Sequence, residues 1–193
     1  MTNRYFLPLN VDKQKVIRSD WVIPFDTVID WKKADYVKSM LTDEFFDKLD
    51  GVSKVVGAMI FTRGTEPSYV AHLDLGRSET GQVYATECAL NFIFYKNESD
   101  EGLMRWYSLK QGEIDLADVR YNPAKTAYLR WELNECNLET EHSISEYPTL
   151  VRTDVPHDVI AKSGTRTCVS IRFQHQGIGW EAQVEKFNKA FNL

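Results

Sequence analysis

The feature that most constrains the fold is a change of period at Gly51. Beyond it, short runs rich in β-branched and aromatic residues follow one another: KVVGAMIFT, SYVAHLD, VYATECALNFIFY, LMRWYSL, AYLRWEL, TLVRTDV and RTCVSIRFQ. Such residues favour a pleated strand, and the Gly, Pro, Asn and Asp between the runs supply turns. No long helical crossover separates them, so a two-sheet jelly roll or small barrel is predicted in preference to a parallel sheet.

Helices flank this β body. Ahead of Gly51, DWVIPFD reads as a short extended segment. Asp30 then caps a helix over WKKADYVKSM, and Thr42 caps DEFFDKL with Asp43 and Glu44 in its first turn. At the other end Trp180, Val184, Phe187 and Phe191 recur at helical spacing and predict a helix over about 179–191 against the exterior of the β core. The expected organisation is one domain: a helical N-terminal region over about 1–52, a β core over about 53–175, and that helix.

Bulk properties exclude several classes of function. A net charge of −5 works against binding a phosphate backbone, which requires a basic surface, so no nucleic-acid partner is expected. No run approaches the roughly 18 apolar residues of a membrane span, and the N-terminus lacks an apolar signal core. A cytoplasmic protein without a membrane partner is expected. Cys88, Cys136 and Cys168 are odd in number and widely spaced, the pattern of buried free thiols rather than of disulfides or a zinc ribbon.

The chemistry concentrates at two places. In SYVAHLDLG, His72 and Asp74 are two apart, so a strand points both side chains to one face, where an imidazole nitrogen and a carboxylate oxygen can meet one ion. Alone, such a pair is close to what chance gives. Support comes from PHDVIAKSGTRTCVSIRF, where His157 lies late in a strand and AKSGT turns the chain into the next. Two histidines and one carboxylate occupy one face of an octahedral Fe(II) and leave the opposite positions open for a cosubstrate and O₂. If Ser163 and Gly164 form the loop, His157 faces a position near Ser170. Arg166, whose planar fork matches a carboxylate, then lies within reach of a small dicarboxylate chelating that metal. Arg172 shares its face and is the rival anchor. Asn91 lies on a strand face that Ala85 and Ala89 leave roomy, together with Glu87. Asp154 and Asp158, beside His157, read as loop carboxylates or as partners of its imidazole.

With these residues in place, the chain resembles the iron(II)- and 2-oxoglutarate-dependent dioxygenases with a double-stranded β-helix core. The resemblance covers roughly residues 54–174, and it is similar in particular to small single-domain members in which ALN and WY, here Ala89-Leu90-Asn91 and Trp106-Tyr107, lie between the ligands. It implies that His72, Asp74 and His157 hold Fe(II), that Arg166 binds the distal carboxylate of 2-oxoglutarate, and that Asn91 is a polar contact in the pocket. It further implies hydroxylation of a small molecule, or of an amino-acid or peptidyl side chain, by O₂ with release of succinate and CO₂. One departure stands: many members carry Arg-x-Ser, whereas this chain has Arg166-Thr167-Cys168 with Ser170 two residues on. Two other readings stand beside this one, a cupin-like metal enzyme that does not use 2-oxoglutarate and a non-catalytic jelly-roll binding module.

Overall fold

The computed structural model describes residues 3–78, 80–97, 99–115 and 118–193. In chain order the elements are β1 (Phe6–Pro8), α1 (Lys13–Val16), β2 (Ile29–Lys33), α2 (Ala34–Met40), α3 (Asp43–Val52), β3 (Val55–Arg63), β4 (Val70–Arg77), β5 (Val83–Ala85) and β6 (Cys88–Tyr95). There follow β7 (Gly102–Leu109), β8 (Arg120–Tyr121), β9 (Ala127–Glu132), β10 (Cys136–His142), β11 (Thr149–Arg152), β12 (His157–Ala161), β13 (Arg166–Phe173) and α4 (Gly179–Phe191). The protein is mainly β, with two antiparallel sheets and flanking helices. The first sheet runs β1-β11-β6-β13-β3-β2; the second runs β10-β7-β12-β4-β9-β8, with β5 also paired to β4. Among the described residues, no helix is long and apolar enough to cross a membrane.

The first sheet is packed on both faces. Outward-facing Leu90, Phe92, Val169 and Ile171 bury against Leu49 of α3 and against Trp180, Val184 and Phe187 of α4. The C-terminal helix therefore packs as its spacing predicts, on the outside of the β layers. Inward-facing Ala89, Ile93 and Cys168 meet Met104, Trp106 and Val159 of the second sheet. The α4 N-terminus has no side-chain cap of its own; the Glu87 carboxylate accepts from the Gly179 amide at 2.9 Å and from Gln183 Nε2 at 3.0 Å.

Several expectations are corrected. Asp30 caps no helix: Ile29–Lys33 form β2, paired along β3 from Phe61 to Gly57, and α2 begins only at Ala34. The open edge of β3 outweighs the local helical pattern. Gly57 permits the docking, because a Cβ there would strike the Trp31 ring and the Lys32 carbonyl. DWVIPFD forms no strand. Thr42 does stand at the N-cap of α3, but its side chain makes no capping bond, and the helix runs through Gly51 to Val52. VYATECALNFIFY is two strands, β5 in the second sheet and β6 in the first, so Glu87 at the corner turns out to α4 while Asn91 faces inward.

The segment around His157 also differs from expectation. His157 opens β12 rather than closing the preceding strand, and β12 pairs with β7 and β4, not with β13. Residues 162–165 therefore carry the chain between sheets, and Ser170 pairs with Asn91 and Met59 instead. Gly164, at φ +58°, makes this turn against the Asp100 carboxylate, which accepts from the Thr165 amide at 3.1 Å. A Cβ at Gly164 would land on that carboxylate.

Candidate metal centre

Strand pairing builds the site. His72 and Asp74 share the inner face of β4, as residues two apart must. His157 lies directly opposite His72 across β12, Trp106 lies opposite His157 on β7, and Arg130 lies opposite His72 on β9. A cross-strand row Arg130, His72, His157, Trp106 results, with Asp74 one pleat further along.

The three expected ligands come together. One donor atom from each of His72, Asp74 and His157 lies within 4.8 Å of the others. Asp74 Oδ1 is 3.8 Å from His72 Nε2, and Asp74 Oδ2 is 3.8 Å from His157 Nε2. The imidazole centroids are 4.4 Å apart with the rings tilted by 54°, so the histidines converge without stacking. The carbonyl of Val155, 2.9 Å from His157 Nδ1, can only accept, so that nitrogen carries the proton and Nε2 keeps its lone pair toward Asp74.

Protonation suits metal binding. Burial first, then the neighbouring His157 and Arg63, pull the His72 pKa down to about 3 against the opposing pull of Asp74, so the imidazole is neutral at physiological pH. For Asp74 burial opposes ionisation, but Arg172, then His157 and His72, outweigh it and hold the carboxyl well below the usual carboxylate range. The Arg172 guanidinium reaches Asp74 Oδ2 at 2.7 Å, with Ala89 and Gly57 as its small cross-strand neighbours. Neutral imidazoles and an ionised carboxylate are the forms in which these groups ligate, and the donor set fits a first-row divalent ion.

The cluster opens on a cavity of about 1780 Å³ lined by residues of both sheets, among them Asn91, Ser170, Met59, Phe61, Tyr128 and Arg172. Asn91 faces this space as expected, and its buried Oδ1 has no hydrogen-bond partner. Arg166 is 1 % exposed, and neither terminal guanidinium nitrogen is hydrogen-bonded. It is not itself a lining residue; its guanidinium carbon lies 6.0 Å from the centre of the Phe61 ring, which does line the cavity. Burial lowers the Arg166 pKa. Between Arg166 and the cluster sits Cys168, whose thiol burial pushes up to about 11 and which feels Arg166, Arg172 and Asp74.

Of the two carboxylates beside His157, Asp154 lies in a loop as expected, whereas Asp158 lies within β12. Strand alternation turns Asp158 to the opposite face of β12, where it accepts from Arg105 Nε at 2.8 Å and Tyr107 Oη at 3.2 Å. It is buried and orients no imidazole. Asp154 pairs with Arg152 at 2.6 Å. His142 stacks on Phe6 and His175 on Tyr84, both away from the cluster. The Arg172 contact to Asp74 was not read from the sequence, where Arg172 figured only as a rival anchor; the strand alternation showed its face but not what lay across the gap. Compared with known proteins, the chain matches no family model and no curated protein.

Proposed function

We propose that this protein is an Fe(II)- and 2-oxoglutarate-dependent dioxygenase built on a double-stranded β-helix. The carrying observation is a buried, unneutralised guanidinium, Arg166, in the same intersheet layer as a His-Asp-His cluster. An unpaired charge in such a place is costly, and the carboxylate of a bound dicarboxylate would relieve it. The strand orders β11-β6-β13-β3 and β10-β7-β12-β4 support the β-helix, because the chain crosses repeatedly between the sheets and pairs its last strands inside earlier ones.

On this reading His72, Asp74 and His157 would hold the iron, whose role when bound is to couple O₂ to oxidative decarboxylation of 2-oxoglutarate. Substrate C–H, 2-oxoglutarate and O₂ then yield substrate C–OH, succinate and CO₂. The chain's own work is positional. Val155 fixes the His157 tautomer, Arg172 holds the Asp74 carboxylate ionised, Arg166 grips the distal carboxylate, and the unpartnered Asn91 Oδ1 accepts from a group in the cavity.

The test is succinate formation from 2-oxoglutarate with Fe(II) and O₂, comparing the native chain with Arg166→Met. The variant should need at least ~30-fold more 2-oxoglutarate, the equivalent of about 2 kcal/mol for a lost buried charge contact. Without ligand it should melt higher than the native chain, since the unpaired charge is gone. An unchanged 2-oxoglutarate requirement would favour a cupin-like metal enzyme that does without this cosubstrate.

A further inference from the structure

The cavity is larger than its proposed cosubstrate requires. Small-molecule sites enclose roughly 300–1,000 Å³, whereas this one holds about 1780 Å³. Its charge also opposes that of the chain. The protein has a net charge of −5, yet Lys54, Arg63, Arg77, Lys125, Arg130 and Arg172 line the cavity against Glu66 and Asp74 as the acids among the described residues.

Three of these cations are already committed: Arg172 to Asp74, Lys54 to Asp50 at 2.7 Å, and Arg130 to Glu132 at 2.9 Å. Arg63, Arg77 and Lys125 have no carboxylate partner among the described residues. All three line the cavity, but Arg63 ends β3 and leads into the start of β4, whereas Arg77, at the far end of β4, and Lys125, in the β8–β9 turn beside Tyr121, lie together at the other end. Two are pre-positioned. The Arg77 guanidinium is hydrogen-bonded to the Tyr121 hydroxyl and lies 5.9 Å from the centre of that ring. The Lys125 backbone is held at φ +59°, a conformation unfavourable to a side chain, by the hydrogen bond its amide donates to the Asn122 carbonyl at 2.8 Å and by the Thr126 amide donating to Asn122 Oδ1 at 3.1 Å. Cations of one sign around a cleft focus the potential and concentrate anions within it.

We infer that the substrate of this site is an anionic organic molecule whose carboxylate or phosphate is held by Arg77 and Lys125, while its reacting carbon lies at His72, Asp74 and His157. The inference rests on the oxygenase reading for the reaction and on the cavity's charge for the substrate class. Arg77 and Lys125 together match a group carrying one to two negative charges, and the arginine fork favours bidentate oxygens.

The test is calorimetric titration of the full chain with two matched pairs, N-acetyl-O-phosphoserine against N-acetylserine and N-acetylglutamate against N-acetylglutamine. Each is measured with and without saturating 2-oxoglutarate, in the native chain and in the double variant Arg77→Gln, Lys125→Gln. At least one charged compound should bind 10-fold or more tighter than its neutral twin, with 2-oxoglutarate present. The double variant should lose that preference without a change in Tm, since both side chains are exposed. Which pair shows the larger preference tells phosphate from carboxylate. Equal binding of the twins, no binding of either charged compound, survival of the preference in the variant, or its disappearance on adding 2-oxoglutarate would each overturn the inference. Failure of the native chain to turn over 2-oxoglutarate is a separate result, which removes the oxygenase reading and leaves the charge preference measurable.

Discussion

On its outer face β13 presents Thr167, Val169, Ile171 and Phe173 to the helices; on its inner face it presents Arg166, Cys168, Ser170 and Arg172 to the second sheet. Val169, Ile171 and Phe173 of the outer row lie in a continuous apolar cluster with Phe92, Trp180 and Phe187, while the Thr167 hydroxyl is hydrogen-bonded to that of Thr62 at 2.8 Å. The inner row carries an arginine with unbonded nitrogens at one end and an arginine committed to Asp74 at the other. One strand thus divides two tasks by its period of two. Apolar packing concentrates on the face whose β13 residues are uncharged, and the unbonded guanidinium nitrogens lie on the face turned to the second sheet. Substitutions on the two sides should therefore fail in different ways.

The largest effect on stability is expected outside the site. Phe187 is fully buried between α4 and the first sheet, so Phe187→Ala should lose about 3–5 kcal/mol in urea denaturation. Metal affinity per folded molecule should be unchanged. A loss below 1 kcal/mol would show that α4 is not part of the stabilising core.

A smaller effect sharpens the same division at Glu87. Burial disfavours its charge, but the Gly179 amide and Gln183 outweigh this and lower its pKa. The stabilisation is therefore present above the unfolded-state value of about 4.3 and is lost as pH falls through the lower folded value. Glu87→Gln should cost about 1–2 kcal/mol at pH 7, and the gap from the native chain should close in acid. A gap independent of pH would mean that the carboxylate's charge is not what caps α4.

How much of this was legible in the sequence follows the same physics. Strands β3, β4, β7, β9 and β13 and helix α4 were readable because each buries a regular apolar set. Strand β10, with mostly exposed residues, is an edge paired only to β7, and β2 hid within a helix-like run; both owe their form to a partner strand rather than to their own residues. The spacing of His72 and Asp74 gave one side of the cluster, and the chemistry of His157 suggested the other. What spacing could not give was that β12 pairs with β4 while β13 joins the opposite sheet. That pairing sets His157 against His72, turns Asp158 toward Arg105 and brings Arg172 onto Asp74.

The central claim is that His72, Asp74 and His157 form one metal site, and anaerobic Fe(II) titration of the native chain, His72→Ala and His157→Ala tests it most directly. Even partners that merely orient a ligand contribute about 10–100-fold to metal affinity, so loss of either ligand should cost ~100-fold or more. The account predicts one tightly bound ion per native chain and a loss of that size in each variant. Equal, weak binding by all three proteins would contradict it.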